Sequence, residues 1–180
     1  MKSVQGQLLV ASPRLADPNF YHSIVLMIQH DEGGALGLIL NRPLDITVRQ
    51  ALAESIEVDC HVEGVLHQGG PCEGPLTVVH GESAASQVKV LPDVHFTAER
   101  GQIESLLSFG GEKLKCFVNH SGWGPGQLEE ELEGGSWLVV PATADRVFSG
   151  DRRQWSRLVA EATLTAWIDP QRIPSDPSLN

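Results

Sequence analysis

The segments Ile24 to His30 and Ala35 to Asn41 are dense in aliphatic residues, and Asp31-Glu32-Gly33-Gly34 joins them with a Gly-containing connection of four residues. Two apolar runs around so short a link predict a β-hairpin, so the fold must contain antiparallel sheet. Alternation and β-branched content predict strands at Gln7 to Ala11, Ser23 to Gln29, Ala35 to Leu40, Gly64 to His67, Leu76 to Val79, Val88 to Leu91, Leu114 to Val118 and Trp137 to Val140. The 18 Gly and 11 Pro residues supply turns between such short elements.

Helices are sparser. Thr47 followed by Gln50 makes a capping-box pattern for a helix over 47–55. Thr97 is placed to cap a second helix over 98–108, stopped by Gly110-Gly111, and Asp151 to cap a third carrying the stripe Trp155, Leu158, Val159, Ala162 and Ala166. Strands and helices do not alternate as βαβ units. The expected architecture is α+β, one domain over 1–168, with a mostly antiparallel barrel-like or sandwich core flanked by three to four helices. Residues 169–180, with prolines at 170, 174 and 177, are expected to be loosely ordered.

At 180 residues and 41% hydrophobic content one sizeable core is affordable, and no second domain is required. A net charge of −10, from 23 acidic against 13 basic residues, opposes the phosphate attraction behind nucleic-acid affinity. The cluster Arg146, Arg152, Arg153 and Arg157 is the local exception and reads as a solvated helix face. The apolar run near the N-terminus is too short for a signal-peptide core, and no run approaches the roughly 20 residues of a bilayer span. Cys60, Cys72 and Cys116 do not make a disulfide framework. A cytoplasmic protein with no membrane association is expected.

Between the strands near Asn119 and Trp137 lies Ser121-Gly122-Trp123-Gly124-Pro125-Gly126-Gln127-Leu128, then Glu129 to Glu131. A Gly-rich loop entering a helix can bind anions, but three carboxylates already occupy that helix start and the Lys-Ser/Thr pair of a P-loop is absent. The loop therefore reads as a tight strand-loop-helix corner. The alternative is a loop that presents Trp123, Gln127 and an acidic rim at Glu129 to a cationic or basic partner.

Four segments in order, GQLLVASPRLADPNFYHSIVLMIQH from Gly6, GALGLILNRP from Gly34, QGGP from Gln68, and Gly122-Trp123 with Gln127-Leu128-Glu129 and Trp137, resemble the YqgE/AlgH family of uncharacterised bacterial proteins. The likeness covers about 6–150, and at Asn119-His120 this chain departs from the family's Gly and aromatic. The resemblance implies a compact α+β fold with a barrel-like core and no settled activity. It also carries a label of transcriptional regulation.

Candidate chemistry is thin. His30, His80 and His120 each end a predicted strand, so converging strand ends would gather three imidazoles, but no local chelating pair supports a metal and strand-end hydrogen bonding is the expectation. Cys60-His61, His67 and Cys72 have spacing unlike structural zinc sites. No G-x-S-x-G elbow occurs, and His120 beside Ser121 points away from it on a strand. Arg42, before Pro43, reads as an ion pair or turn residue, or as a binding-site cation.

No catalytic residue, metal or cofactor is expected. The candidate binding residues are Gly122, Trp123, Gln127, Glu129, His30, Asn41, Arg42 and His80. The leading expectation is a non-enzymatic regulatory or interaction protein that presents the Gly-Trp loop. The alternatives are a small-molecule binder or unrecognised enzyme with a strand-end His/Asn pocket, and a transcriptional regulator using the Arg146 to Arg157 segment.

Overall fold

The structure is a computed structural model that describes residues 3–53 and 59–168. The expected tail over 169–180 and the end of the first expected helix lie outside the described residues. Eleven strands are assigned among the described residues: β1 Gln7–Ala11, β2 Ile24–Asp31, β3 Gly34–Ile39, β4 Pro43–Thr47, β5 Val65–Gln68, β6 Thr77–His80, β7 Val88–Leu91, β8 Val94–Thr97, β9 Leu114–Val118, β10 Ser121–Trp123 and β11 Trp137–Pro141. Five helices accompany them among the same residues: α1 Val48–Leu52, α2 Arg100–Phe109, α3 Gln127–Glu133, α4 Ala144–Val147 and α5 Gln154–Ile168.

The strands form two sheets, ordered β10-β3-β2-β1-β11 and β4-β5-β9-β6-β8-β7, rather than a closed barrel. Every pairing is antiparallel except β5 with β9. Of the two forms the sequence allowed, the core is sandwich-like. β1 shows why. Leu8 and Val10 point into the cluster between the sheets, with Leu26, Val79 and Phe117, while Leu9 and Ala11 point to the outer cluster under α3. A strand buried on both faces reads as a continuous apolar run, because successive side chains alternate between two cores. Burying each such aliphatic side chain contributes about 2 kcal/mol.

The β2–β3 hairpin forms with Asp31 opposite Gly34, so its tip is the two residues Glu32-Gly33. α1 carries the expected box: Thr47 accepts from the Gln50 amide, and the Gln50 side chain accepts from the Thr47 amide. α2 begins later than expected, with Glu99 at its N-cap, and Thr97 accepts the Glu99 amide one step outside it. α2 lays Ile103, Leu106 and Leu107 on the outer face of the six-stranded sheet. α5 docks through Leu158, Trp155, Val159 and Ala162, while Asp151 accepts the Arg153 amide before its first turn.

Candidate functional site

The Gly-Trp segment is a strand before it is a loop. Ser121, Gly122 and Trp123 pair with Gly37, Leu36 and Ala35, so period-two alternation turns Ser121 and Trp123 inward and Gly122 outward. Trp123 is only 5% exposed, which overturns the expectation of a presented indole. Its ring stacks on Phe20 and meets Trp137 edge-on. Both indole N–H groups donate to the same Glu131 oxygen, Trp123 at 2.9 Å and Trp137 at 2.7 Å. Gln127 joins them, its amide donating to Glu131 at 3.1 Å while its carbonyl accepts from the Gly124 amide. Gly126, at φ 78°, supplies the left-handed turn into α3. The QGGP motif packs on the same corner: a Cβ on Gly70 would lie 2.3 Å from the His120 backbone. Asn119 sits at φ 61°, the left-handed conformation a family glycine would occupy easily.

His30 is held against this corner. Its Nδ1 accepts from the Val4 amide at 3.1 Å, which places the ring proton on Nε2, 2.7 Å from Glu129. The contact is therefore a hydrogen bond from a neutral imidazole, not an ion pair. Glu129's own backbone amide, and then His30, hold its carboxyl below the usual value.

Asn41 and Arg42 serve the backbone. Asn41 accepts from the Ile24 amide and donates to the His22 carbonyl, and Arg42 donates to the Tyr21 carbonyl. They fix the turn in which His22, at φ 56°, stacks between Tyr21 and Trp155. The Arg42 guanidinium is thereby tied to this turn. Two of the four clustered arginines are neutralised within the protein, Arg146 on both oxygens of Glu161 and Arg157 on Asp151.

The three strand-end histidines have separate surroundings. His30 lies in the five-stranded sheet, His80 faces His95 in the six-stranded sheet, and His120 bridges Cys72. Among the described residues no three His, Cys, Asp or Glu side chains gather as a metal site.

His80 differs from all the others. It is fully buried at the end of β6; no side chain is hydrogen-bonded to Nδ1 or Nε2, and the backbone of Glu82 and Ala85 lies against the ring. Burial first, and then His95 with ring centroids 5.9 Å apart, lower its pKa, so the ring is a neutral imidazole with one donor and one acceptor to satisfy. His95, by contrast, contacts Ser86 Oγ at 2.8 Å. His80 lines a cleft of about 370 Å³ together with Glu82, Asp93, Gly110, Glu112 and Lys113. These groups come from the β6 end, the β7–β8 turn and the loop after α2, so sequence spacing gave no signal that they meet.

One further basic pair, half-buried, lies on the same sheet. Lys115 donates to the Ser149 carbonyl and is lowered to about 8 by burial. His67, lowered to about 4 by burial and then by Lys115, has no side-chain partner at Nδ1, and the backbone of Val65 and Cys116 lies against the ring.

The AlgH-like family matches residues 8–167. A UPF0301 protein of Chlorobium luteolum is 39% identical, the alignment covering 86% of this chain and 83% of the relative. One from Streptomyces avermitilis is 36% identical over 100% of this chain and 97% of the relative. The solution structure of the AlgH protein from Pseudomonas aeruginosa superposes with a TM-score of 0.70 at 26% identity, covering 93% of this chain and 96% of that one. A crystal structure of a Corynebacterium diphtheriae protein gives 0.68 at 26% identity, covering 89% and 88%. The two-sheet fold, the ordered motifs and these matches together show that the chain belongs to the AlgH-like family.

Proposed function

We propose that this chain is a small-molecule-binding protein whose site is the cleft at the His80 end of β6. The observation that carries this reading is His80 itself, a fully buried imidazole in the wall of a cleft to which no side chain is hydrogen-bonded. A buried hydrogen bond left unmade costs about 1–3 kcal/mol, and a ligand whose binding opens the cleft wall to the ring would supply the missing partner. Binding without catalysis is favoured because no hydroxyl, thiol or carboxylate is hydrogen-bonded to His80 to make a base-nucleophile pair. A regulatory role follows if occupancy of the cleft is the signal. Three free cysteines accord with a cytoplasmic setting, and no helix among the described residues is long and apolar enough to cross a membrane.

A thermal-shift screen of soluble metabolites tests the reading, since a ligand that binds only the folded state stabilises it by about 2.7 kcal/mol at 100 times its Kd. The expected result is a stabilising compound whose effect is lost in His80→Leu. Hits whose effect survives that change would place the site elsewhere.

A second reading, protein interaction through the Gly-Trp corner, draws on the exposed Gly124, Pro125 and Gly126 held over a rigid brace. A preorganised loop loses little entropy on binding. Pro125→Glu would weaken such a partner without touching the buried indoles.

A further inference from the structure

Cys72 and His120 form an antiparallel pair in which each backbone amide donates to the other's carbonyl, at 2.9 and 3.0 Å. Residues directly opposite in such a pair project on one face, and Gly122, two positions after His120, shares that face. The thiol and the imidazole meet over this glycine: a Cβ on Gly122 would lie 3.7 Å from Cys72 Sγ and 3.8 Å from His120 Nε2. The other edge of the ring is held by Gly74, where a Cβ would lie 2.7 Å from Nδ1, and the Gly74 amide donates to the Asn119 side chain at 3.2 Å. Gly122 is exposed and has no positive φ. A side chain there would strain nothing and would cover both groups, so the bare position keeps them open.

The other two thiols are placed differently. Cys116 is buried in the cluster with Val78, Leu106 and Leu107, and burial pushes its thiol up to about 12. Cys60 packs against that cluster, with Sγ 4.0 Å from the Val62 carbonyl. Half-buried Cys72 lies outside it.

We propose that Cys72 is a reactive thiol with His120 as its base, and that its substrate is a low-molecular-weight disulfide. His120 Nε2 takes the thiol proton while Cys72 Sγ attacks one sulfur of the disulfide. A new S–S bond forms to Cys72 as the old one breaks, and the electron pair leaves with the second sulfur, which receives the proton from the imidazolium. Cys72 ends as a mixed disulfide and the small molecule as one free thiol. Neither Cys60 nor Cys116 stands beside Cys72 to carry the adduct into an internal bridge.

The test is the rate at which the full chain releases thiopyridone from dithiodipyridine, with the modified residue mapped by peptide mass spectrometry. One fast equivalent on Cys72 is expected, lost in Cys72→Ser. His120→Gln should slow it about a hundredfold, the lower end of what a positioned base supplies, and its pH–rate profile should lack the imidazole ionisation of the parent. Gly122→Val, suited to a strand, should slow it by covering the thiol. A variant that failed to fold would expose all three cysteines at once, so the same trace reports folding. Fast reaction at Cys60 or Cys116 instead, or an unchanged Cys72 rate and pH profile in folded His120→Gln, would overturn the pair. Oxidised glutathione is expected to leave its mixed disulfide on Cys72, and absence of that adduct would overturn the substrate class.

Discussion

The Gly-Trp corner and the His80 cleft are opposites in how they treat polar groups. In the corner one carboxylate, Glu131, receives two indole N–H groups and the Gln127 amide, and His30 is bonded at both ring nitrogens. In the cleft a deeper imidazole has no side-chain partner, only the backbone of Glu82 and Ala85 beside it. A region that satisfies itself has no chemistry left to offer a ligand, and its sequence conspicuousness reflects the narrow tolerances of a scaffold. A region with an unmet hydrogen bond gives up stability that a ligand can restore.

The contrast can be broken by mutation. Glu131→Ala leaves two indole donors unpaired and should lower the unfolding free energy by about 3 kcal/mol, measured by urea denaturation. A loss below about 1 kcal/mol would mean that water replaces the carboxylate freely. His30→Ala orphans the Val4 amide and removes a donor from Glu129, at an expected cost of about 2 kcal/mol in the same measurement.

Acid sharpens the comparison. His67 and His80 both have folded pKa values below the ordinary 6.5, so the unfolded chain binds protons more readily than the folded one. Their contribution is fully present above pH 6.5 and is lost as pH falls, for His67 through about 4. His67→Gln should therefore flatten the stability profile between those values. Glu129 acts in a lower window: its depressed carboxyl contributes above the ordinary value of 4.5 and is lost as pH falls through the folded value. Glu129→Gln should change only that acid limb.

Much of this fold is legible in the chain. The β2–β3 hairpin, the Thr47 capping box and the doubly buried β1 are local patterns of turn residues, side-chain oxygens and apolar runs. β4, β8 and β10 are not legible: one opens on Pro43, one is the four residues Val94–Thr97 containing His95, and one is three residues around Gly122. Missing β10 is what made Trp123 read as presented, since only its pairing with Ala35 reveals which way the indole turns. Glu131, central to the corner, is one of three successive glutamates, and nothing local separates the brace from its solvated neighbours. His80 was legible as a strand-end histidine. Its place in a cleft wall depends on Asp93, His95 and Lys113 arriving from other elements.

The unfolding free energy of His80→Leu, without any ligand, tests the contrast most directly. Replacing an unsatisfied buried imidazole by an apolar side chain of similar bulk should leave the protein as stable as the parent, or more stable by up to about 1 kcal/mol. A loss of more than about 1 kcal/mol would show that His80 is already satisfied in the folded chain, and would contradict a cleft that waits for its ligand.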